Sequence, residues 1–339
     1  MLDDFADYIA QQWGDEATPV TVHEGGPVAV SGASAGWPAV PANIERRSPW
    51  HWYPHSGSRH WNPWMVGGHA TRSLARPSIE RASIWWCHSL GEASLHYSWP
   101  EAEVTFDELG RVLRLCMNLK EVRGAAAICR LIFRWGGVGK KANDQSQLWV
   151  SAHEMQGDLI DLIREAVGIL QPRSAVDPNL AKRFNGPLLM NSAMTKVYAA
   201  ADPNGRVMMY DSRVGAALCL LLRGFVDHHH RLGRPVPVPR PADLEFLWGP
   251  KQPAHEAAAR DASRGAFVVK NMNGEPDDIR AEVSWRANVL AQKVNQRVVG
   301  TQVDVRTLEK GLFMVGYDVR QHPLSPPATP TIHAATALI

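Results

Sequence analysis

GPLLMNSAMTKVYAAADPNGRVMMYDSRVGAALCLLLR, residues 186–223, is the stretch on which the fold of this chain turns. It reads as a helix, a short turn and a second helix. DPNG at 202–205 is strong turn chemistry, because Pro presets its backbone angle and Asp, Asn and Gly tolerate bent conformations. The strand-like RVMMY segment then folds back. Asp211 stands before SRVGAALCLLL, the place of a helix N-cap. Lys196 lies inside the first helix, 15 positions before Asp211. The turn is therefore expected to return a carboxylate towards an amine.

The flanks predict a mainly α protein. Leu2, Phe5, Ile9 and Trp13 share one helical face over residues 2–13. Thr105 and Glu108 match a capping box, and Leu109, Val112, Leu113, Cys116 and Leu119 follow at helical spacing. A second helix covers Val122–Trp135 and runs into Gly136–Gly137. One long helix is expected over Gln147–Leu170. AEVSWRANVLAQKVNQ turns Val283, Ala287, Leu290 and Val294 inward, and a final helix covers about 305–315.

Between the first helix and Thr105, residues 82–99 read as a short helix or strand with Trp85, Trp86 and Trp99, and the pattern before them is irregular. Residues 14–48 are rich in Gly, Pro, Ser and Ala. PWHWYPHSGSRHWNPW at 49–64 fits neither period. Its Trp52, Tyr53, Trp61 and Trp64 are either rings that pin a loop to the body or the wall of a pocket for a flat ligand. The chain holds 13 Trp against 8 Phe and 6 Tyr, so flat faces are plentiful for cores or for stacking on bases. The expected organisation is an N-terminal part (1–104), a helical body (105–317) and a Pro-rich, disordered tail (318–339).

Bulk properties exclude several classes. The 339 residues are 45% hydrophobic, ample for a core, and the net charge of +2 permits a nucleic-acid ligand only if positive charge clusters. The four cysteines show no CxxC spacing, so neither a zinc site nor an iron–sulfur quartet is expected, and no cofactor. The longest apolar run, Val214–Leu222, is too short to span a bilayer, and the start lacks an apolar signal core. A cytoplasmic protein with no membrane partner is expected.

A lysine and a carboxylate at one site suit a reaction in which positive charge develops on a sugar. An anion near the anomeric carbon stabilises an oxocarbenium-like state, and a neutral amine can attack the same carbon to give a Schiff base. Met194, Val197 and Tyr198 are expected to surround the amine and lower its pKa by burial. A phosphate is expected at the amides that start either helix.

NSAMTKVYAA followed by MMYDSRVGAAL resembles the helix-hairpin-helix DNA glycosylase superfamily, in its bacterial 8-oxoguanine-glycosylase-like branch. LEFLWGP and EVSWRANVL also look like that branch, so the likeness covers roughly residues 105–295. The resemblance implies helix-hairpin-helix glycosylase-like helical domains, a double-stranded DNA partner carrying a modified base, and base flipping. It gives Lys196 and Asp211 catalytic roles and places Asn191, Ser192, Thr195, Ser212 and Arg213 against DNA. The superfamily hairpin carries a Gly-x-Gly before its lysine. Here MNSAMTK stands there, and Asn191 and Ser192 are expected to make the tight turn. Some glycosylases similar to this branch excise bulky modified cytosines from phage DNA. Oxidised guanine and hypermodified cytosine are therefore both candidate targets.

Alternatives compete with this reading. GVGKK at 137–141 also looks like a hairpin, which would make Lys140 or Lys141 the nucleophile with Asp158 as partner. Asp158 is expected inside a helix, so Lys140 and Lys141 are read as phosphate contacts. A helical DNA-binding protein with an inactive pair is a second class of function. A metal hydrolase built on His228–His230 is a third, although three adjacent side chains cannot all face one ion.

Overall fold

In a computed structural model, the described residues are 1–13, 28–29, 83–84, 90–95, 97, 104–139, 141, 143–250, 260–298, 303–316 and 319. They are mainly helical. The helices are α1 (Leu2–Trp13), α2 (Leu90–Leu95), α3 (Phe106–Leu119), α4 (Val122–Trp135), α5 (Gln145–Gln156), α6 (Leu159–Leu170), α7 (Leu180–Phe184), α8 (Met194–Ala201), α9 (Ser212–Arg231), α10 (Asp277–Asn295) and α11 (Val305–Val315). Val28–Ala29 and Ser83–Ile84 form a minimal antiparallel pair.

The apolar side chains gather into two cores. The first lies among α3 to α8, around Leu113, Ile132, Phe133, Ile163, Phe184 and Tyr198. The second lies among α1, α2, α9, α10 and α11, around Phe5, Leu90, Leu221, Phe225, Leu290 and Leu312. α10 serves both, because Ala281 sits in the first core and Val283, Ala287 and Leu290 in the second. Buried Asn288 on α10 ties them together. Its amide nitrogen donates to Leu170 O at 2.9 Å, and its oxygen accepts from Met208 N at 2.8 Å.

The capping box holds as read: Glu108 N donates to Thr105 Oγ1 at 3.2 Å, and Thr105 N to Glu108 Oε2 at 2.8 Å. α3 nevertheless buries Met117 rather than Leu119, which is 64% exposed. The single helix expected over 147–170 is two. Gly157 takes φ +80°, a left-handed cap that ends α5, and Asp158 then opens α6 rather than lying inside a helix. RVMMY is not a strand. Four of its amides are taken by side chains: Asp202 holds Arg206 N and Val207 N, Asn288 holds Met208 N and Glu309 holds Met209 N, while Tyr210 N donates to Met208 O.

The first helix is integral to the second core. Phe5 packs on Phe225 and Phe246 with ring centroids 5.3 and 5.9 Å apart. Asp3 pairs with Lys293 at 2.8 Å, and Asp7 with Arg297. Val319, counted with the tail, is buried there too. No helix among the described residues is long and apolar enough to cross a membrane.

Candidate active site

The site lies where the two cores meet. α8 carries Lys196 from the first core, and Asp211 opens α9 in the second. Lys196 Nζ and Asp211 Oδ2 are 3.9 Å apart, with side chains 6% and 14% exposed. The pair expected from the sequence does come together.

Each partner is aimed by local structure. Asp211 Oδ1 accepts from Arg213 N at 2.8 Å and Val214 N at 3.1 Å, so one oxygen caps α9 and leaves Oδ2 to face Lys196. Lys196 Nζ donates to Ser192 O, one turn back, at 2.9 Å. Its aliphatic stem runs past Gly136. A Cβ there would fall 2.5 Å from Lys196 Cδ, so the Gly136 of the glycine-rich stretch is needed for close approach to the lysine.

Burial lowers the Lys196 pKa below the ordinary 10.5; Asp211 and Glu309 oppose that shift and Arg213 adds to it. For Asp211 burial pushes upward, but Lys196, Arg213, Arg260 and the Val214 amide outweigh it, and the carboxyl is held below its ordinary value. The two shifts are coupled: burial loosens the Lys196 proton, while the charge of Lys196 is the foremost group keeping Asp211 anionic. A neutral amine has two N–H bonds and one lone pair. With one N–H on Ser192 O, a lone pair remains for an electrophile.

Tyr97, Trp135, Met209, Val214, Glu309 and Phe313 complete the wall around the pair. The Tyr97 and Phe313 rings meet edge to face at 5.5 Å. The Arg213 guanidinium lies 4.4 Å from the Phe313 centroid. The free space beside the pair is water-sized.

The other expected contacts divide. Asn191 does not make its turn with a left-handed backbone; among the described residues Lys120 is the one non-glycine with positive φ. Instead its side-chain oxygen accepts from Ala193 N and Met194 N, each at 3.0 Å. Those amides, like Arg213 N and Val214 N at α9, are already occupied, so neither helix start offers them to a phosphate. Thr195 is buried and donates its hydroxyl to Ser192 O at 3.2 Å, turned away from solvent. Ser192 is exposed, and Ser212 Oγ accepts from Arg260. Lys141 is exposed, while Lys140 lies outside the described residues, as do Trp52, Tyr53, Trp61 and Trp64.

Tyr198 does not wall the amine, because it points into the first core with its hydroxyl donated to Leu189 O at 2.7 Å. Asp158 is engaged by His153 Nδ1 at 2.8 Å. His228 and His229 lie in the last turn of α9, against the Tyr8 and Phe225 rings. Cys116, Cys129 and Cys219 are free thiols.

Sequence reading missed Glu309, Trp135, Tyr97 and Phe313. Only Glu309 left a signal: an acid inside the apolar inner face of 305–315. The chain matches no known protein family, no characterised protein and no solved structure.

Proposed function

We propose that this protein is a DNA glycosylase that flips out and excises a modified base, either an oxidised guanine or a hypermodified cytosine. Lys196 is the amine that attacks the anomeric carbon or activates a water for that attack. Asp211 is the anion that stabilises positive charge on the sugar. The observation that carries this reading is the buried Lys196–Asp211 pair, 3.9 Å apart where the two cores meet. Burial favours the uncharged amine that nucleophilic attack requires, and against its own burial Asp211 is held in its anionic form by the charges of Lys196, Arg213 and Arg260, with the Val214 amide adding to them. A Schiff base formed by Lys196 would allow strand cleavage after base loss. The likeness of NSAMTK and MMYDSRVG to helix-hairpin-helix glycosylases supports the same roles.

The water-sized space beside the pair favours a second reading, a helical DNA-binding protein with an inactive pair. One experiment separates the two. The full chain is incubated with duplexes that each carry one modified base, and with phage DNA bearing glucosylated cytosines, and abasic sites are then counted. The expected result is base release and borohydride trapping by wild type, both abolished in Lys196→Gln while the helical circular dichroism persists. Normal base release by Lys196→Gln overturns the assignment. Salt-sensitive DNA binding without abasic product on any duplex establishes the inactive reading.

A further inference from the structure

We propose that Glu309 is a positioning residue that acts through the Met209 amide to hold Asp211 against Lys196. As a catalytic contribution this rests on the glycosylase reading; as a statement about geometry it does not. The segment between α8 and α9 has no strand neighbour to take its amides, so those of Arg206, Val207, Met208 and Met209 depend on side chains. Glu309 Oε2 accepts from Met209 N at 2.6 Å, two residues before Asp211. Glu309 is 3% exposed on α11. Arg306 Nη1 fixes both of its oxygens, at 3.0 and 2.7 Å, and the Arg306 guanidinium lies 4.6 Å from the Phe106 centroid at the start of α3. Phe106 in turn packs on Trp135, 4.7 Å between centroids, and Trp135 lines the site.

A chain of contacts therefore runs from α3 and α4 through α11 to the loop that presents Asp211. Without the Met209 bond, nothing else among the described residues holds that amide; Tyr210 stays tied to Leu247 through its hydroxyl and to Met208 O through its amide, so the slack falls on Met209. Asp211 then keeps its cap but loses its fixed approach to the amine.

The charged and titratable groups that face Lys196 are Asp211 and Arg213 at the start of α9, Glu309 with Arg306 on α11, and Tyr97 after α2. Loss of the Glu309 charge and loss of Asp211 positioning both bear on the lysine, and a double-mutant cycle separates them. Lys196 is titrated in the full chain by reductive methylation with formaldehyde and cyanoborohydride across pH, read by peptide mass spectrometry. Glu309→Gln retains an acceptor for Met209 N and drops the charge. Glu309→Ala drops both.

The expected result is a Lys196 midpoint lower in Glu309→Ala than in Glu309→Gln by on the order of one pH unit. That difference should vanish in an Asp211→Asn background. Equal midpoints for the two variants in the native background overturn the proposal. So does a difference that persists unchanged beside Asp211→Asn. If Glu309→Ala fails to fold, Glu309→Asp replaces it: it keeps the charge but is one methylene too short for the Met209 bond. It should lower the midpoint below wild type, and a wild-type midpoint overturns the proposal. Base release is followed in parallel, with kcat expected to fall about tenfold more in Glu309→Ala than in Glu309→Gln. Should no duplex yield product with wild type, the glycosylase reading falls while the lysine titration still decides the role of Glu309.

Discussion

At the scale of the residue, Lys196 shows how burial and pairing compete. An ammonium taken from water loses hydration, and Asp211 at 3.9 Å returns only part of it, so the net shift is downward. The folded chain therefore binds fewer protons at this site than the unfolded chain between the lowered pKa and 10.5. Stability from this group rises with pH through that window. In Lys196→Met the rise is absent. The stability difference between the variant and wild type, measured by urea unfolding, should shift in favour of wild type as pH approaches 10.5. A pH-independent difference would mean that Lys196 titrates like a solvated lysine. Asp211 has the same sign in a lower window: its contribution is present above the ordinary carboxylate value of 3.8 and is lost as pH falls through the lowered one.

At the scale of the element, Asp211 does two jobs with two oxygens. Oδ1 caps α9 and Oδ2 faces the amine. Asp211→Asn keeps an acceptor for the cap and loses the charge; Asp211→Ala loses both. Thermal unfolding should place Asp211→Asn below wild type by the lost charge interaction with Lys196, and Asp211→Ala about 1 kcal/mol below Asp211→Asn for the lost cap. Under the proposed glycosylase activity, base release fails in both. Equal stabilities for the two variants would show that the cap contributes little. The break between α5 and α6 belongs to this scale as well. Gly157 was legible as a helix stop, but the apolar periodicity on either side of it read as continuous.

At the scale of the whole molecule, Asn288 joins the two cores and holds the loop that leads to the site. Asn288→Ala leaves Met208 N–H and Leu170 C=O without partners in a buried place, at a cost of about 1–3 kcal/mol for each unsatisfied group. Hydrogen exchange at Met208 should accelerate by at least as much as global unfolding accounts for, and further if the loop opens on its own. Unchanged exchange at Met208 would remove Asn288 from its role as a tie. Because the same tie holds the loop that leads to Asp211, it bears on how readily the segment beside the site opens.

The sequence by itself determined the helical class and the bounds of α1, α4 and α11, because apolar periodicity and capping residues are local properties read within a few turns. It also marked Lys196 and Asp211, because a turn and an N-cap are local too. Tertiary structure decided everything that depends on contact between distant segments. Glu309 reaches Met209 across the fold. Asn288 stands between two cores that no composition shift separates. Gly136 yields its volume to a lysine sixty residues on. The Asn191 side-chain oxygen accepts from Ala193 N and Met194 N, and so closes those two amides to a phosphate. Such partners are chosen by packing in three dimensions, and hydrophobic spacing along the chain carries no record of them.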